Sequence, residues 1–529
     1  MRAFIELVVD LDHADDVTHQ RRLAAQRLGC SEAQLTALQL RKRSLDARRG
    51  RVVVRLQCEA YYDEPAPQEQ LPRPNYQPVT GSRSVLIVGC GPAGMFAALR
   101  LIELGIRPVV LERGKDVQAR RRDLATIQRL GEVNPDSNYC FGEGGAGTYS
   151  DGKLYTRATK RGRVDDVLRT LVAHGAPAEI LVEAHPHIGS NRLPKVVAAM
   201  RQTILAAGGE VRFNCRVTDL IVDAAGRACG VVTAGGDELI GEAVIVATGH
   251  SARDVFELLQ ARGARLDSKP FAVGLRVEHP QPLIDRIQYH GNPDPRLPAA
   301  SYRLATTVAD RAVFSFCMCP GGFIVPAATA SDEIVVNGMS LSRRDSPFAN
   351  SGIVVAIEPD DLAAHAQHGA FAGIELQRQL ESMAFVAGGG QQRAPAQRLS
   401  DFIAARASSS LPACSYHPGI TAAPLHDLLP PLLAARLRQG LQRFAGSMRG
   451  FLTEDAVVVG VETRTSSPVR IRRDAGSLQH PDIAGLYPCG EGAGYAGGIV
   501  SAALDGIRVA EACAAAAPAG VSAAQLAGD

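Results

Sequence analysis

The hydrophobic pattern at the start of the chain predicts a small separate domain. An apolar run at residues 4–9 predicts a strand, and residues 15–28 predict an amphipathic helix. Two further β-type runs follow at residues 38–42 and 51–62. The order β-α-β-β is typical of a ferredoxin-like half-fold, so we predict an N-terminal α+β domain over residues 1–62.

A different pattern begins after a proline-rich stretch. Residues 63–83 carry several prolines among polar residues, which predicts a semi-rigid linker. Beyond it, a continuous apolar run at residues 85–88 leads into a helical stretch through Leu104, and a second apolar run occupies residues 108–111. Strands that alternate with helices are typical of a parallel sheet, so this part is predicted to be α/β.

The turn after the first of these strands carries a dinucleotide-binding fingerprint. The sequence GCGPAG at residues 89–94 lies between a strand and a helix, as the motif requires. Gly89 permits the tight turn, Gly91 lets the backbone approach a pyrophosphate, and Gly94 permits close packing of the helix. The second strand ends at Glu112, where the fingerprint expects a carboxylate that holds the adenosine ribose hydroxyls. The fingerprint alone is compatible with NAD and with FAD.

Three distant segments bear on that choice. A glycine-rich loop at residues 142–153 ends in Ser-Asp-Gly-Lys. Residues 210–217 are predicted to begin a β meander that closes with the strand and small-residue turn at 243–249. The third segment, residues 485–498, is rich in glycine and precedes a helical stretch. Together they resemble the glutathione-reductase-type FAD fold, in which a final Gly-Asp or Gly-Glu pair returns to the cofactor.

This resemblance implies FAD as the cofactor and assigns residues to it. Gly490 and Glu491 match the final pair, with Glu491 at the ribityl or pyrophosphate region. The helix after Gly498 directs its N-terminus to the pyrimidine edge of the flavin, where a helix dipole stabilises negative charge. The implied cofactor-binding residues are Gly89, Gly91, Pro92, Ala93, Gly94, Glu112, Arg113, Gly145, Ala146, Gly147, Ser150, Lys153, Val217, Ala247, Thr248, Gly249, Gly490, Glu491, Gly497, Gly498 and Ile499.

Over its whole length the chain also resembles a family of uncharacterised bacterial FAD-dependent dehydrogenases. The resemblance implies FAD binding and a two-domain flavoprotein body behind a small N-terminal domain, and it names no substrate. The strings that carry it are KRSLDAR (42–48), CFGEGGAG (140–147), HPHIG (185–189), CMCPGG (317–322), ETRTSSPVR (462–470) and GEGAGYAGG (490–498).

The fingerprint and the last motif lie far apart in the sequence, so the FAD domain is predicted to be discontinuous. We assign residues 84–268 to its first part, 269–450 to an inserted α+β substrate domain, and 451–515 to its second part. A substrate then lies between the insertion and the flavin face. No second strand-GxGxxG-helix unit follows, so a dedicated NAD(P)H domain is not expected. The reductant is then either NAD(P)H that docks transiently or the substrate itself.

Composition excludes several classes of protein. With 529 residues, 46% hydrophobic and 21% charged, the chain has the length of about three domains and a globular composition. Its 57 basic and 55 acidic side chains give a net charge of +2, which favours neither nucleic acid nor a membrane as partner. The 11 cysteines are scattered without CxxC pairs, and no signal peptide or transmembrane run is found, so a cytoplasmic location is expected.

Four residues are candidates for catalysis, and no metal site is expected. His187 lies in a His-Pro-His loop, where proton transfer, metal ligation and a structural role are all open. Arg464 precedes the last motif and either anchors a substrate anion or forms a structural ion pair. Cys317 and Cys319 are either redox-active thiols or small core residues. In an extended strand their Cα atoms lie about 6.6 Å apart, so a disulfide requires a bend.

The sequence thus predicts an FAD-dependent oxidoreductase that transfers hydride between flavin N5 and a small organic substrate. Two alternatives remain open: an FAD-containing RNA-modifying or RNA-associated flavoprotein, and an assembly factor with structural FAD. The expected partners are a small-molecule substrate and transient NAD(P)H, and the oligomeric state is left open. Acidic neighbours and the lack of interleaved aromatics favour a solvated strand face over an RNA surface for the basic hairpin of Arg41, Lys42, Arg43, Arg48, Arg49 and Arg51.

Overall fold

The computed structural model describes residues 1–48, 50–67, 74–156, 162–292 and 294–516. The elements of the N-terminal domain are β1 (Arg2–Val9), α1 (Val17–Leu28), β2 (Leu35–Asp46) and β3 (Val53–Tyr62). β3 is the central strand and pairs antiparallel with both β1 and β2, while α1 makes the crossover between the two outer strands. Strand β2 is longer than the predicted run of residues 38–42, because polar residues also fit a strand with one solvated face.

The linker packs on the body of the protein where it is described. Residues 68–73, within the predicted linker, lie outside the described residues, as does Arg49 of the basic hairpin. After this gap, the Val79 backbone N–H donates to the Ala207 carbonyl at 2.9 Å. The Tyr76 ring lies beside His174, with ring centroids 6.2 Å apart.

The next part of the chain forms a Rossmann-like α/β unit. The strands β22, β10, β4, β5 and β6 make a five-stranded parallel sheet in that order. Helices α2, α5 and α12 pack on one face, and the antiparallel meander β7-β8-β9 with α6 packs on the other. Its elements are β4 (Ser84–Val88), α2 (Pro92–Glu103), β5 (Arg107–Leu111), α3 (Val117–Leu130), α4 (Val164–Ala173), α5 (Leu193–Ala206), β6 (Glu210–Arg212), β7 (Val217–Val222), β8 (Ala228–Thr233), β9 (Glu238–Ile240), β10 (Val244–Val246), α6 (Arg253–Ala261) and β11 (Leu266–Ser268), and later β21 (Val469–Ile471), β22 (Leu486–Pro488) and α12 (Ile499–Ala515). In the described part of the chain, 3-10 helices also occur at Gly145–Gly147, Ala178–Leu181 and Pro359–Phe371.

One sequence prediction about this unit is wrong. The run at residues 210–217 does not begin the meander, because Glu210–Arg212 pairs in parallel with β5 as the edge strand of the main sheet. The meander starts at Val217, which pairs with Thr233 of β8. The short polar stretch between the two strands carries the chain from one layer to the other.

A second domain is inserted between β11 and β21, which pair with each other in antiparallel fashion. Its main sheet has the order β13-β14-β17-β12-β20-β18-β19, and β15 and β16 form a hairpin beside it. Its elements are β12 (Phe271–Pro280), α7 (Gln281–Gln288), β13 (Ala305–Val308), β14 (Arg311–Cys319), β15 (Gly322–Pro326), β16 (Val336–Ser340), β17 (Phe348–Ile357), α8 (Ala372–Gly388), β18 (Ala394–Arg398), α9 (Leu399–Ala404), β19 (Ile420–Ala422), α10 (Leu425–Leu428), α11 (Pro431–Ser447) and β20 (Val457–Glu462).

The inserted domain ends later in the chain than the predicted residue 450. Strand β20 pairs antiparallel with both β12 and β18, so residues 457–462 belong to the sheet of the inserted domain. The apolar run of β20 resembles a buried strand of either domain, and only its pairing partners distinguish the two. The chain returns to the parallel sheet with β22.

Candidate functional site

The fingerprint turn between β4 and α2 leaves space beside an open helix end. Gly89 has a φ of +107°, and a Cβ on it would overlap the Ala247 carbonyl oxygen. A Cβ on Gly94 would overlap the Gly89 carbonyl oxygen. At Gly91, by contrast, the nearest described atom to a Cβ is the Gly145 Cα at 3.9 Å. No side chain among the described residues caps α2, so its first N–H groups face the space that a pyrophosphate requires.

The distant glycine-rich motifs meet at this turn. A Cβ on Gly147 would lie 3.0 Å from the Ile499 side chain, at the start of α12. A Cβ on Gly490 would lie 2.9 Å from the Cβ of Ala93, at the start of α2. The predicted residues Pro92 and Ala146 lie within these same turns. The structure therefore gathers the loop at 142–153 and the last motif around the fingerprint.

The turn after β10 completes one side of this arrangement. A Cβ on Gly89 would lie 3.1 Å from the Thr248 Cα, so the two turns touch. Gly249 has a φ of +74°, and no described atom lies within 4 Å of a Cβ placed on it. Val217 begins β7 and packs against the hydrophobic cluster that contains Val88 of β4.

The carboxylate of Glu112 ties three of these turns together. It follows β5 and is buried, and it accepts the backbone N–H groups of Cys90, Gly114 and Gly142, each at 2.9 Å. A carboxylate has about four acceptor sites, so these three bonds leave one for the predicted contact with a ribose hydroxyl. The structure itself shows that Glu112 holds three turns of the site in place.

Sequence reasoning missed Arg120, which orders the glycine-rich loop. Its guanidinium is fully buried and donates to the carbonyl oxygens of Asn138, Tyr139, Glu143 and Gly145 at 2.8 to 3.0 Å. A signal for it existed in the pattern of α3. The buried residues of that helix are Val117, Arg120, Leu124 and Ile127, a helical stripe in which the arginine occupies an apolar position.

Arg113 and the last motif are held by ion pairs. The Arg113 guanidinium lies 4.4 Å from the Phe141 ring centroid and pairs with Asp136 at 2.7 Å and Asp254 at 2.9 Å. Gly490 donates its N–H to the Asp505 carboxylate at 2.8 Å. Asp505 is fully buried and pairs with Arg473 at 2.6 Å, which fixes the turn after β22.

The helix α12 begins beside Glu491 with an open N-terminus. Gly498 precedes the helix with a φ of +113°, and no side chain among the described residues caps it. The Gly497 N–H donates to the Ser501 hydroxyl at 3.0 Å. Burial raises the pKa of Glu491 to about 7, although the Gly498 N–H and the Lys269 ammonium favour its charged form. This end of the site therefore offers helix N–H donors next to a carboxyl that titrates near neutrality.

The loop that begins at Gly145 continues into the seam with the inserted domain. The Ser150 hydroxyl donates to the Gly147 carbonyl at 2.8 Å. The Asp151 carboxylate is buried, accepts the Ser340 hydroxyl, and pairs with Arg344 at 2.6 Å. Lys153 directs its ammonium to β14 of the insertion, a contact that the sequence did not indicate.

His187 lies at the same seam. Its Nε2 is 3.3 Å from the Ser342 carbonyl oxygen, and its backbone bridges to Lys153. Burial lowers the pKa of His187, and the Arg344 charge lowers it further, which favours the neutral ring. Among the described residues no group of three or more His, Cys, Asp or Glu side chains is arranged to hold a metal ion.

The structure corrects the role of Arg464 as a substrate anchor. Its buried guanidinium pairs with Glu333 at 2.6 Å and Glu381 at 2.9 Å, and it donates to the Thr329 hydroxyl at 2.8 Å. Arg253 pairs with Glu381 from the other side at 3.0 Å. Two carboxylates already bind its guanidinium group. Arg464 therefore forms the structural ion pair that the sequence analysis gave beside the role of a substrate anchor.

The basic hairpin is paired within the N-terminal domain. Arg43 pairs with Asp15 at 2.5 Å, and Arg48 pairs with Asp46 at 2.8 Å. Arg41 pairs with Glu59 at 2.5 Å. Three arginines of the hairpin are therefore paired with carboxylates of their own domain, while the Arg43 backbone hydrogen-bonds to Val182 and Ala184 of the Rossmann-like unit. In the described part of the chain, no helix has the length and apolar character needed to cross a membrane.

Several stretches of the chain match described families. Residues 82–130 match the family described as FAD binding domain, and residues 185–346 match FAD dependent oxidoreductase. Residues 270–465 match FAD-dependent protein, C-terminal domain-like, and residues 1–61 match a domain of unknown function. A protein of Clostridium beijerinckii that is named only as uncharacterized is 40% identical over 524 residues, covering 95% of this chain and 97% of its own.

Solved structures are more distant. CtdE in complex with FAD is 12% identical, with a TM-score of 0.33 over 82% of this chain and 83% of that chain. The flavin-dependent brominase Bmp2 is 14% identical, with a TM-score of 0.33 over 81% and 78% of the two chains. A geranylgeranyl bacteriochlorophyll reductase-like protein from Thermoplasma acidophilum is 12% identical, with a TM-score of 0.33 over 82% and 79%. At these TM-scores the likeness carries no argument about the reaction.

Proposed function

The chain belongs to a family of FAD-dependent proteins of the oxidoreductase type, and we propose that it is a hydride-transferring enzyme. FAD is its cofactor, and when bound it supplies hydride chemistry at flavin N5. The proposed substrate is a small organic molecule between the inserted domain and the flavin face.

The observation that supports this proposal best is the series of binding groups along the gathered turns. It begins beside Glu112, passes Gly91 at the start of α2, and reaches the N-terminus of α12 after Gly498. A carboxylate for the ribose, helix N–H groups for the pyrophosphate, and a second helix end for the flavin follow one another in the order that FAD requires.

The residues of this chain have distinct tasks in the proposal. Glu112 orients the adenosine, and the N-terminus of α2 neutralises the pyrophosphate. The N-terminus of α12 stabilises negative charge on the pyrimidine edge of the ring. The ion pair between Asp151 and Arg344 holds the insertion against the cofactor loop, which restricts the access of water.

The experiment that tests the proposal is an anaerobic titration of the purified protein with NADH and then NADPH, following the flavin band near 450 nm. Bleaching by one donor identifies a pyridine-nucleotide-dependent reductase. A flavin that stays oxidised with both donors directs the search to a metabolite that reduces it. A colourless protein that cannot be reconstituted with FAD contradicts the proposal.

A further inference from the structure

Two cysteines at the end of β14 lie at the seam between the FAD-binding part and the insertion. The pairing of β14 with β17 shifts register between Phe316 and Cys319, so a bulge bends the strand at Cys317 and Met318. This bulge supplies the bend that an extended strand lacks. Cys319 is fully buried, whereas Cys317 is partly exposed.

The two cysteines lie close together and are not merely near in sequence. The Sγ of Cys319 lies 3.4 Å from the Cys317 carbonyl oxygen. A buried thiol therefore lies against the backbone of a partly exposed cysteine, an arrangement that suits a resolving and an attacking thiol.

Two cationic side chains lie beside Cys317. The Lys153 ammonium lies 3.4 Å from the Cys317 Sγ and is fixed by the Met318 carbonyl oxygen. The buried Arg276 guanidinium approaches the Cys317 carbonyl oxygen at 3.4 Å. The acids of this cluster are engaged elsewhere: Glu462 pairs with Arg276 at 2.6 Å. Asp151, 3.8 Å from the Lys153 ammonium, pairs more closely with Arg344.

These contacts separate the titration of the two thiols. The neighbouring Cys319 side chain lowers the pKa of Cys317 in spite of burial, and the Lys153 charge lowers it further. The same interaction, together with burial, raises the pKa of Cys319 well above its usual range. These shifts favour a thiolate at Cys317 and a protonated thiol at Cys319.

We propose that Cys317 and Cys319 form a redox-active dithiol that reduces small-molecule disulfides. The Cys317 thiolate attacks one sulfur of a disulfide RSSR, forms a mixed disulfide and releases RS⁻. Cys319 then attacks the Cys317 sulfur, forms the Cys317–Cys319 disulfide and releases the second RS⁻, which takes up the proton that Cys319 loses. The two protein thiols lose two electrons in total, and RSSR gains them as RS⁻ and RSH.

The test uses the reduced, FAD-loaded full-length protein and hydroxyethyl disulfide as the probe. Cleavage after Arg311 and Arg343 gives a tryptic peptide whose only cysteines are Cys317 and Cys319. We expect this peptide to lose two hydrogens in the wild-type protein, as its mass reports. In Cys319→Ser the peptide should instead retain the hydroxyethylthio adduct, and in Cys317→Ser it should show neither change. The partly exposed Cys229 provides a matched control, since Cys229→Ser should behave as the wild type.

Two results would overturn the proposal. One is a wild-type peptide that remains fully reduced at a probe concentration that oxidises other cysteines. The other is equal adduct formation in Cys317→Ser and Cys319→Ser. The mass readout does not involve flavin reduction, so failure of the dithiol and failure of the proposed hydride-transfer activity are distinguishable.

Lys153 is the positioning residue of this cluster, and its role has a separate readout. In Lys153→Met the pH at which alkylation of Cys317 by iodoacetamide is half-maximal should rise by about 1 to 3 units, because the neighbouring cation is lost. Lys153→Arg retains the charge and should restore most of the shift. An unchanged pH midpoint in folded Lys153→Met would show that the ammonium does not stabilise the thiolate.

Discussion

Replacing Gly91 by valine should weaken FAD binding and leave the stability of the fold nearly unchanged. Gly91 has φ of −79° and ψ of −174°, an extended conformation that any residue adopts. The nearest described atom to a Cβ at this position is the Gly145 Cα at 3.9 Å, which is an ordinary contact. We therefore expect the free energy of unfolding of the FAD-free protein to change by less than about 1 kcal/mol in Gly91→Val.

Affinity for FAD should respond very differently. The new methyl groups occupy the space beside the α2 N-terminus, where the pyrophosphate must approach the backbone. Forcing extra methyl groups into a filled site costs about 1 to 3 kcal/mol, and 1.4 kcal/mol is tenfold in Kd. The Kd for FAD should then rise by about fivefold to more than a hundredfold, as measured by titration of the FAD-free protein followed by flavin fluorescence.

Two other glycines provide the controls. Gly446 lies within α11, and no described atom lies within 4 Å of a Cβ on it. Gly446→Ala should raise stability by up to about 1 kcal/mol and leave the Kd for FAD unchanged. Gly94→Ala places a methyl group on the Gly89 carbonyl oxygen and should instead destabilise the fold itself. A Gly91→Val protein with the wild-type Kd would refute the placement of the pyrophosphate.

Three further substitutions test buried charged groups of the protein. Arg120→Met leaves four buried carbonyl oxygens without their donor, so urea denaturation should show a loss of about 3 kcal/mol or more; a loss below 1 kcal/mol would contradict the contacts. Arg464→Leu leaves the buried carboxylates of Glu333 and Glu381 to share the single guanidinium of Arg253 and should cost about 3 to 5 kcal/mol; substrate-dependent activity lost without any stability change would contradict the ion-pair role. Burial raises the pKa of Glu278 from 4.5 to about 7, so the folded protein binds this proton more tightly than the unfolded chain. Its contribution to stability is full below about pH 4.5 and is lost as the pH rises to about 7. In Glu278→Gln this decline should disappear from unfolding measurements between pH 5 and 7.5, and equal slopes in the two proteins would count against it.

The parts of the site that could be predicted are those whose physics is local. At Gly89 and Gly94 the turn and the helix contact each require the absence of a side chain, and this requirement is visible in a short stretch of sequence. Glu112 follows a strand at a spacing that the fingerprint defines. Gly498 is a further local case, because the residue before α12 has a positive φ, which favours glycine. Local requirements of this kind leave a pattern that needs no knowledge of distant contacts.

The parts that could not be predicted depend on pairs of residues that are distant in the sequence. Strand β20 could not be assigned to the insertion, because its partners β12 and β18 lie on other segments. Arg464 sits in a segment close to the last motif, yet its partners Glu333 and Glu381 come from the insertion. Arg120 was detectable in principle as a charged residue on an apolar stripe, but the four carbonyl groups that it serves were not.

One loop joins the cofactor turns to the inserted domain. Its start touches the fingerprint, since a Cβ on Gly145 would lie 3.1 Å from the Gly91 Cα. Its end contacts the insertion, where Asp151 forms an ion pair with Arg344 and the Lys153 ammonium lies beside the Cys317 sulfur. Both sets of contacts lie within residues 145–153, so we expect FAD binding and the docking of the insertion to order the same backbone. By thermodynamic linkage, if FAD binding favours docking by a given free energy, docking favours FAD binding by the same free energy. We therefore expect the dithiol to be best positioned when the cofactor is bound.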